Sequence, residues 1–76
     1  MNPPSVAKIR AFVAEHGLTG GRAAELAYLS GGQAFRKYTG GAAPHRMSGA
    51  IWFTLVAKTM LPESTIAEIE RRMQDR

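Results

Sequence analysis

The side chains best suited to chemistry sit in one short run, Gln33-Ala34-Phe35-Arg36-Lys37. On a helix, Gln33, Arg36 and Lys37 are i, i+3 and i+4 neighbours and share one face. An amide beside two cations can hydrogen-bond planar donors and acceptors and attract anions. Phe35 and Tyr38 are three apart and fall largely on the opposite face, the spacing of buried aromatics. Glycine pairs at 31–32 and 40–41 bracket the run, and a third pair lies at 20–21. They do not make a nucleotide-cradling loop, because the sequence has no G-x-x-x-x-G-K-[ST] run. Turn and helix-end duty accounts for them instead.

Other chemistries find little support. There is no cysteine among the 76 residues, so disulfides and thiolate-held metals are excluded. His16 and His45 stand far apart with no third ligand in view, and no serine has a candidate base beside it. Neither catalysis, a metal nor a cofactor is expected. The formal net charge is +4, and its placement says more than its size. No acid occurs between Glu25 and Glu63, a gap that holds Arg36, Lys37, Arg46 and Lys58. An unopposed cationic stretch of this kind attracts polyanions, of which nucleic acid is the commonest. The reading without function is a solvated surface that happens to lack acids.

The elements that would position these groups are short. One domain, 1–76, is expected from the length. "MNPPSV" lacks the charged and apolar regions of a signal peptide, and the longest apolar run falls far short of a membrane span, so a cytoplasmic chain is expected. Apolar spacing and punctuation predict five helices and no strand, an all-α fold. The first runs from Ser5, a cap after Pro3 and Pro4, to His16, with Gly17 as its stop. The second follows Thr19 and covers Gly20 to Ala27, with small residues at Ala23, Ala24 and Ala27. The third covers Gly32 to Thr39, with Ser30 as cap. The fourth, 46–59, is apolar on nearly every side, which suits a core or an interface. The fifth, 62–75, carries the stripe Ile66, Ile69, Met73.

The second and third helices with the turn between them, about 19–39, fit a helix-turn-helix. Ala24 allows the close crossing, and Phe35 and Tyr38 oppose Gln33, Arg36 and Lys37. "LTGGRAAELAYLSGGQAFRKYTGG" resembles the helix-turn-helix of the lambda-repressor and Cro type. "APHRMSGAIWFTLVA" after it is similar to the corresponding segment of small phage and prophage regulators, anti-CRISPR-associated repressors among them. Two departures stand out. Tyr28 occupies the turn position where this family commonly has glycine. The core residues of the third helix also fall one place late, which implies one extra turn residue absorbed at Gly31 or Gly32.

The resemblance implies a sequence-specific, double-stranded DNA-binding transcriptional regulator, a phage or mobile-element repressor on an inverted-repeat operator. Its groove-facing positions correspond to Gly32, Gln33, Arg36 and Lys37. Its backbone-contacting positions correspond to Thr19, Gly20 and Arg22 and to the loop with His45 and Arg46; Ser30 joins this phosphate set. Chemically, Gln33 suits adenine, and Arg36 or Lys37 suits guanine O6 and N7. The apolar surplus of the last two helices predicts a homodimer contact through Trp52, Val56, Ile66 and Ile69. The rival expectation is a small phage protein that docks its basic face on an acidic host protein.

Overall fold

The computed structural model describes residues 3–41 and 44–74. Among these the chain forms five helices and no strand: α1 Val6–Glu15, α2 Gly20–Leu26, α3 Gly32–Arg36, α4 Gly49–Met60 and α5 Glu63–Gln74. The all-α expectation holds.

Hydroxyl caps set three helix starts. Ser5 Oγ accepts from Lys8 N–H, Thr19 Oγ1 from Arg22 N–H, and Ser48 Oγ from Ile51 N–H, at 3.0–3.1 Å. The Ser48 cap corrects the expected start of the fourth helix: residues 46–48 lie outside it, Ser48 is extended, and α4 begins at Gly49. Ser30 is not the cap of α3. The capping position is Gly31, which has no side chain to offer, and α3 starts without one. This helix is also shorter than expected. Lys37 to Thr39 are turns, with Tyr38 N–H donating to Phe35 and Thr39 N–H to Arg36. The end of the fifth helix at Asp75 lies outside the described residues.

α1 and α2 end in the same way. After α1, Gly17 is left-handed (φ 62°); its N–H donates to the Ala14 carbonyl and Leu18 N–H to the Val13 carbonyl. After α2, Tyr28 is left-handed (φ 59°); its N–H donates to Glu25 and Leu29 N–H to Ala24. Both are Schellman closures, in which the residue after the cap usually is glycine because a Cβ is disfavoured there. Tyr28 takes that place without being glycine.

The core joins the first four helices. Ile9, Ala23, Ala24, Leu26, Ala27, Phe35, Met47 and Leu55 are buried, and Phe12, Val13, Leu18, Leu29, Tyr38, Ile51 and Trp52 pack around them. The alanines of α2 let α3 and α4 lie close. Gly32 extends that closeness: a Cβ built there would lie 3.5 Å from the backbone nitrogen of Gly21. Phe12 links α1 to α4 by meeting the edge of Trp52, ring centroids 5.4 Å apart. α5 buries no residue. The radius of gyration, 12.8 Å, exceeds the roughly 11 Å of a compact chain of this length, and the body is 42 Å long by 25 by 23 Å.

Candidate functional site

α3 is five residues long, so it owes its place to packing rather than to intrinsic helicity. Phe35 is the anchor, buried among the alanines of α2, and Tyr38 is half-buried beside it. With the aromatics inward, Gln33, Arg36 and Lys37 are exposed. Among the described residues no carboxylate pairs with Arg36 or Lys37.

Two ties hold the far end of α3. The Arg10 guanidinium, from α1, donates to the Thr39 carbonyl. His45 N–H donates to the Lys37 carbonyl at 2.6 Å. The second tie brings the loop with exposed His45 and Arg46 alongside the end of α3. No sequence signal marks Arg10, which reads simply as a charge on the outer face of the first helix. Its bond to a carbonyl of the closing turn suits a cation near a helix C-terminus.

The remaining expected site residues divide. Gly20, Gly21 and Gly32 line a shallow cleft of about 400 Å³ with Phe35, Arg36 and Thr39. Gly32 faces α2 rather than the free face of α3, so its role here is close packing. Thr19 is exposed, with its hydroxyl engaged in the α2 cap. Arg22 is half-exposed and bonded to Glu25. Ser30 is exposed at the turn and makes no cap. The exposed cationic surface expected from the sequence thus comprises Arg36 and Lys37 on α3, with Gln33, and Arg46 on the loop tied to its end.

Lys58 does not belong to that surface, although it sits in the acid-free stretch of the sequence. Its Nζ lies 3.1 Å from Glu70 Oε2 and 3.0 Å from the Tyr28 hydroxyl, and 4.1 Å from the Tyr28 ring centroid. The Tyr28 hydroxyl in turn donates to Glu70. Burial by itself would lower the Lys58 pKa, but the hydrogen bonds with Tyr28 and Glu70 outweigh it and hold it above the ordinary lysine value. The hydrogen bond from Tyr28, then that from Lys58, hold the Glu70 carboxyl below its usual range. This cluster joins the turn before α3 to α4 and α5.

The residues expected at a dimer contact also separate. Trp52 is half-buried against Phe12, so it serves the core of its own chain. Val56 and Ile66 are half-buried, and Ile69 is 42% exposed. Between α4 and α5 runs an apolar groove lined by Phe53, Ala57, Leu61, Ile66, Ile69 and Met73, with Tyr28, Lys58 and Glu70 at its side. Phe53, 62% exposed, and Met73, 73% exposed, stand highest. The sequence pattern missed Phe53 because a helix apolar on nearly all sides does not say which side is covered.

Among the described residues no group of three or more His, Asp or Glu is placed to hold a metal ion, and no helix is long and apolar enough to cross a membrane. The chain matches no protein-family model, no curated protein and no solved structure.

Proposed function

We propose that the chain is a sequence-specific double-stranded DNA-binding regulator that reads the major groove with α3. The observation that carries the reading is the exposure of Gln33, Arg36 and Lys37 over a buried Phe35, with no described carboxylate to neutralise the cations. Supporting it is the turn: a left-handed residue closes α2, and five residues, Ala27 to Gly31, lead into α3. A helix-turn-helix has this form, with its second helix in the major groove and backbone contacts on either side.

In this reading Gln33 offers its amide to adenine, and Arg36 or Lys37 donates to guanine. Arg46, carried beside α3 by the His45 tie, meets a phosphate and adds affinity without sequence information. Gly32, turned toward α2, makes no base contact. Repression in a phage or mobile element is the part of the proposal that rests on the family resemblance.

Selection of bound duplexes from a random pool, followed by gel shift on the winner, tests the proposal. Gln33→Ala and Arg36→Ala should each weaken the selected duplex by roughly 1–3 kcal/mol, about 5- to 160-fold, and relax preference at one position. Lys37→Ala should lower affinity and flatten the dependence of log K on log salt, by about 0.9 if it meets a phosphate. A pool that yields no preferred sequence, or a preference untouched by these substitutions, would sink DNA reading and favour an acidic protein surface as the partner of α3.

A further inference from the structure

The turn that leads into α3 is braced from two distant helices. Tyr28 is left-handed, φ 59°, a conformation that a Cβ disfavours. The bonds that close this turn, Tyr28 N–H to Glu25 and Leu29 N–H to Ala24, are backbone bonds that glycine would make equally. What tyrosine adds is its side chain. The ring lies 4.1 Å from Lys58 Nζ, on α4, and the hydroxyl accepts from that nitrogen at 3.0 Å. The same hydroxyl donates to Glu70, on α5, and Lys58 bonds Glu70 at 3.1 Å. The two ends of α3 are held unequally. Its far end has the ties from Arg10 to Thr39 and from His45 to Lys37. Its near end, where Gln33 sits, starts at Gly31 without a side-chain cap. That end depends on the path of the turn and on the close approach of Gly32 to Gly21.

We infer, on the DNA reading proposed for α3, that Lys58 and Glu70 are positioning residues: acting through Tyr28, they fix the turn that aims Gln33. Their effect is a shift of population. The contacts of the ring and hydroxyl exist only while Tyr28 keeps its left-handed conformation, so they favour that conformation over its competitors. Without them tyrosine keeps the steric penalty and loses what offsets it. Other conformers gain weight, and the path from Ala27 to Gly31 varies. A recognition side chain tolerates little of this, since its geometry must hold to within about 0.5 Å. The near end of α3 then wanders while Arg10 and His45 keep the far end in place. The base read by Gln33 is lost before those read by Arg36 or Lys37. Lys58 does not act by meeting a phosphate itself: its side chain is 17% exposed and is spent on Tyr28 and Glu70. α5, which buries no residue, gains a part in recognition through one carboxylate.

The two residues carry opposite charges, and this separates positioning from simple attraction. Glu70→Ala makes the chain more cationic and Lys58→Met less so; attraction alone would tighten DNA binding in the first and weaken it in the second. Positioning harms both. Affinities are measured for the duplex that the wild type selects and for random duplex. Both variants should lower the ratio of the two about three- to tenfold, and a repeated selection should relax preference at the position that Gln33→Ala also relaxes. Tyr28→Gly takes the left-handed turn without a clamp. It should keep a ratio near that of the wild type, and Glu70→Ala added to it should change nothing further. Amide exchange supplies a readout without DNA. Leu29 N–H, which closes α2, should exchange several-fold faster in Glu70→Ala and Lys58→Met, but at one rate in Tyr28→Gly with and without Glu70→Ala. Ratios that follow charge in opposite directions, ratios that do not move, or a Glu70→Ala effect that persists beside Tyr28→Gly overturn the inference. A wild type that selects no duplex instead sinks the DNA reading, and the exchange rates then uphold or overturn the clamp by themselves.

Discussion

Tyr28 offers the sharpest single test of the geometry that sets up α3. It closes α2 in a left-handed conformation, φ 59°, at a position where glycine is the usual choice. A side chain with a Cβ pays roughly 1–2 kcal/mol for that conformation. Glycine escapes this cost but loses more backbone freedom on folding, roughly 0.5–1 kcal/mol. Tyr28→Gly and Tyr28→Ala both delete the ring, the hydroxyl and the contacts with Lys58 and Glu70. The difference between them therefore isolates the backbone. Tyr28→Gly should be the more stable by about 0.5–1 kcal/mol, a separation of about 2–8 °C in Tm for a domain of this size.

Thermal and urea melts of the two variants give the answer directly. The sign decides: at any right-handed helical position the order reverses, and alanine wins by a similar amount. Alanine equal to or better than glycine would refute the left-handed closure and with it the path of the chain into α3. Tyr28→Phe adds a second reading. It keeps the backbone conformation and the ring but removes the hydroxyl that bonds Glu70 and Lys58, and should melt below the wild type.

Two further outcomes follow from the core and from the cluster at the groove. Leu55 is fully buried, and Leu55→Ala should cost roughly 2–5 kcal/mol, whereas Met60→Ala, at an exposed site on the same helix, should cost well under about 1 kcal/mol; equal losses in urea titrations would mean that α4 is turned about its axis. Because the Glu70 carboxyl is held below its usual 4.5, its contribution is complete above that value and is lost as pH falls through the lowered one. Lys58, held above its usual 10.5, contributes fully below that value and loses its part as pH rises past the raised one. Glu70→Gln should therefore flatten the acid limb of a stability–pH curve, and an unchanged acid limb would show that the cluster does not bind in solution as drawn.

The helices were legible in the sequence where capping chemistry and period agreed. Ser5, Thr19 and Gly17 mark their places because a hydroxyl before an apolar run, or a glycine after one, has few other uses. The reading failed where one signal offered two candidates. Ser30 and Gly31 both precede the third helix, and Ser48 lies within the span assigned to the fourth; choosing between them needs the direction of the chain, which no local pattern contains. The inward turn of Phe35 and the exposure of Gln33, Arg36 and Lys37 were readable because three-residue spacing of aromatics on a short helix leaves the other face no choice.

What could not be read is pairing across the fold. Lys58 and Glu70 are twelve residues apart and Tyr28 is thirty from Lys58, so an apparently unopposed cation proved to be neutralised at the turn. The same cluster has a structural consequence. Tyr28 belongs at once to the turn that aims α3, through its backbone, and to the wall of the apolar groove, through its ring. Whatever presses on that wall also loads the turn. The ring's contacts with Lys58 and Glu70 sit on the same residue whose left-handed backbone closes α2 ahead of α3. The turn and the groove wall are joined here through a single residue, and its glycine substitution, which keeps the left-handed turn but deletes the ring, separates them.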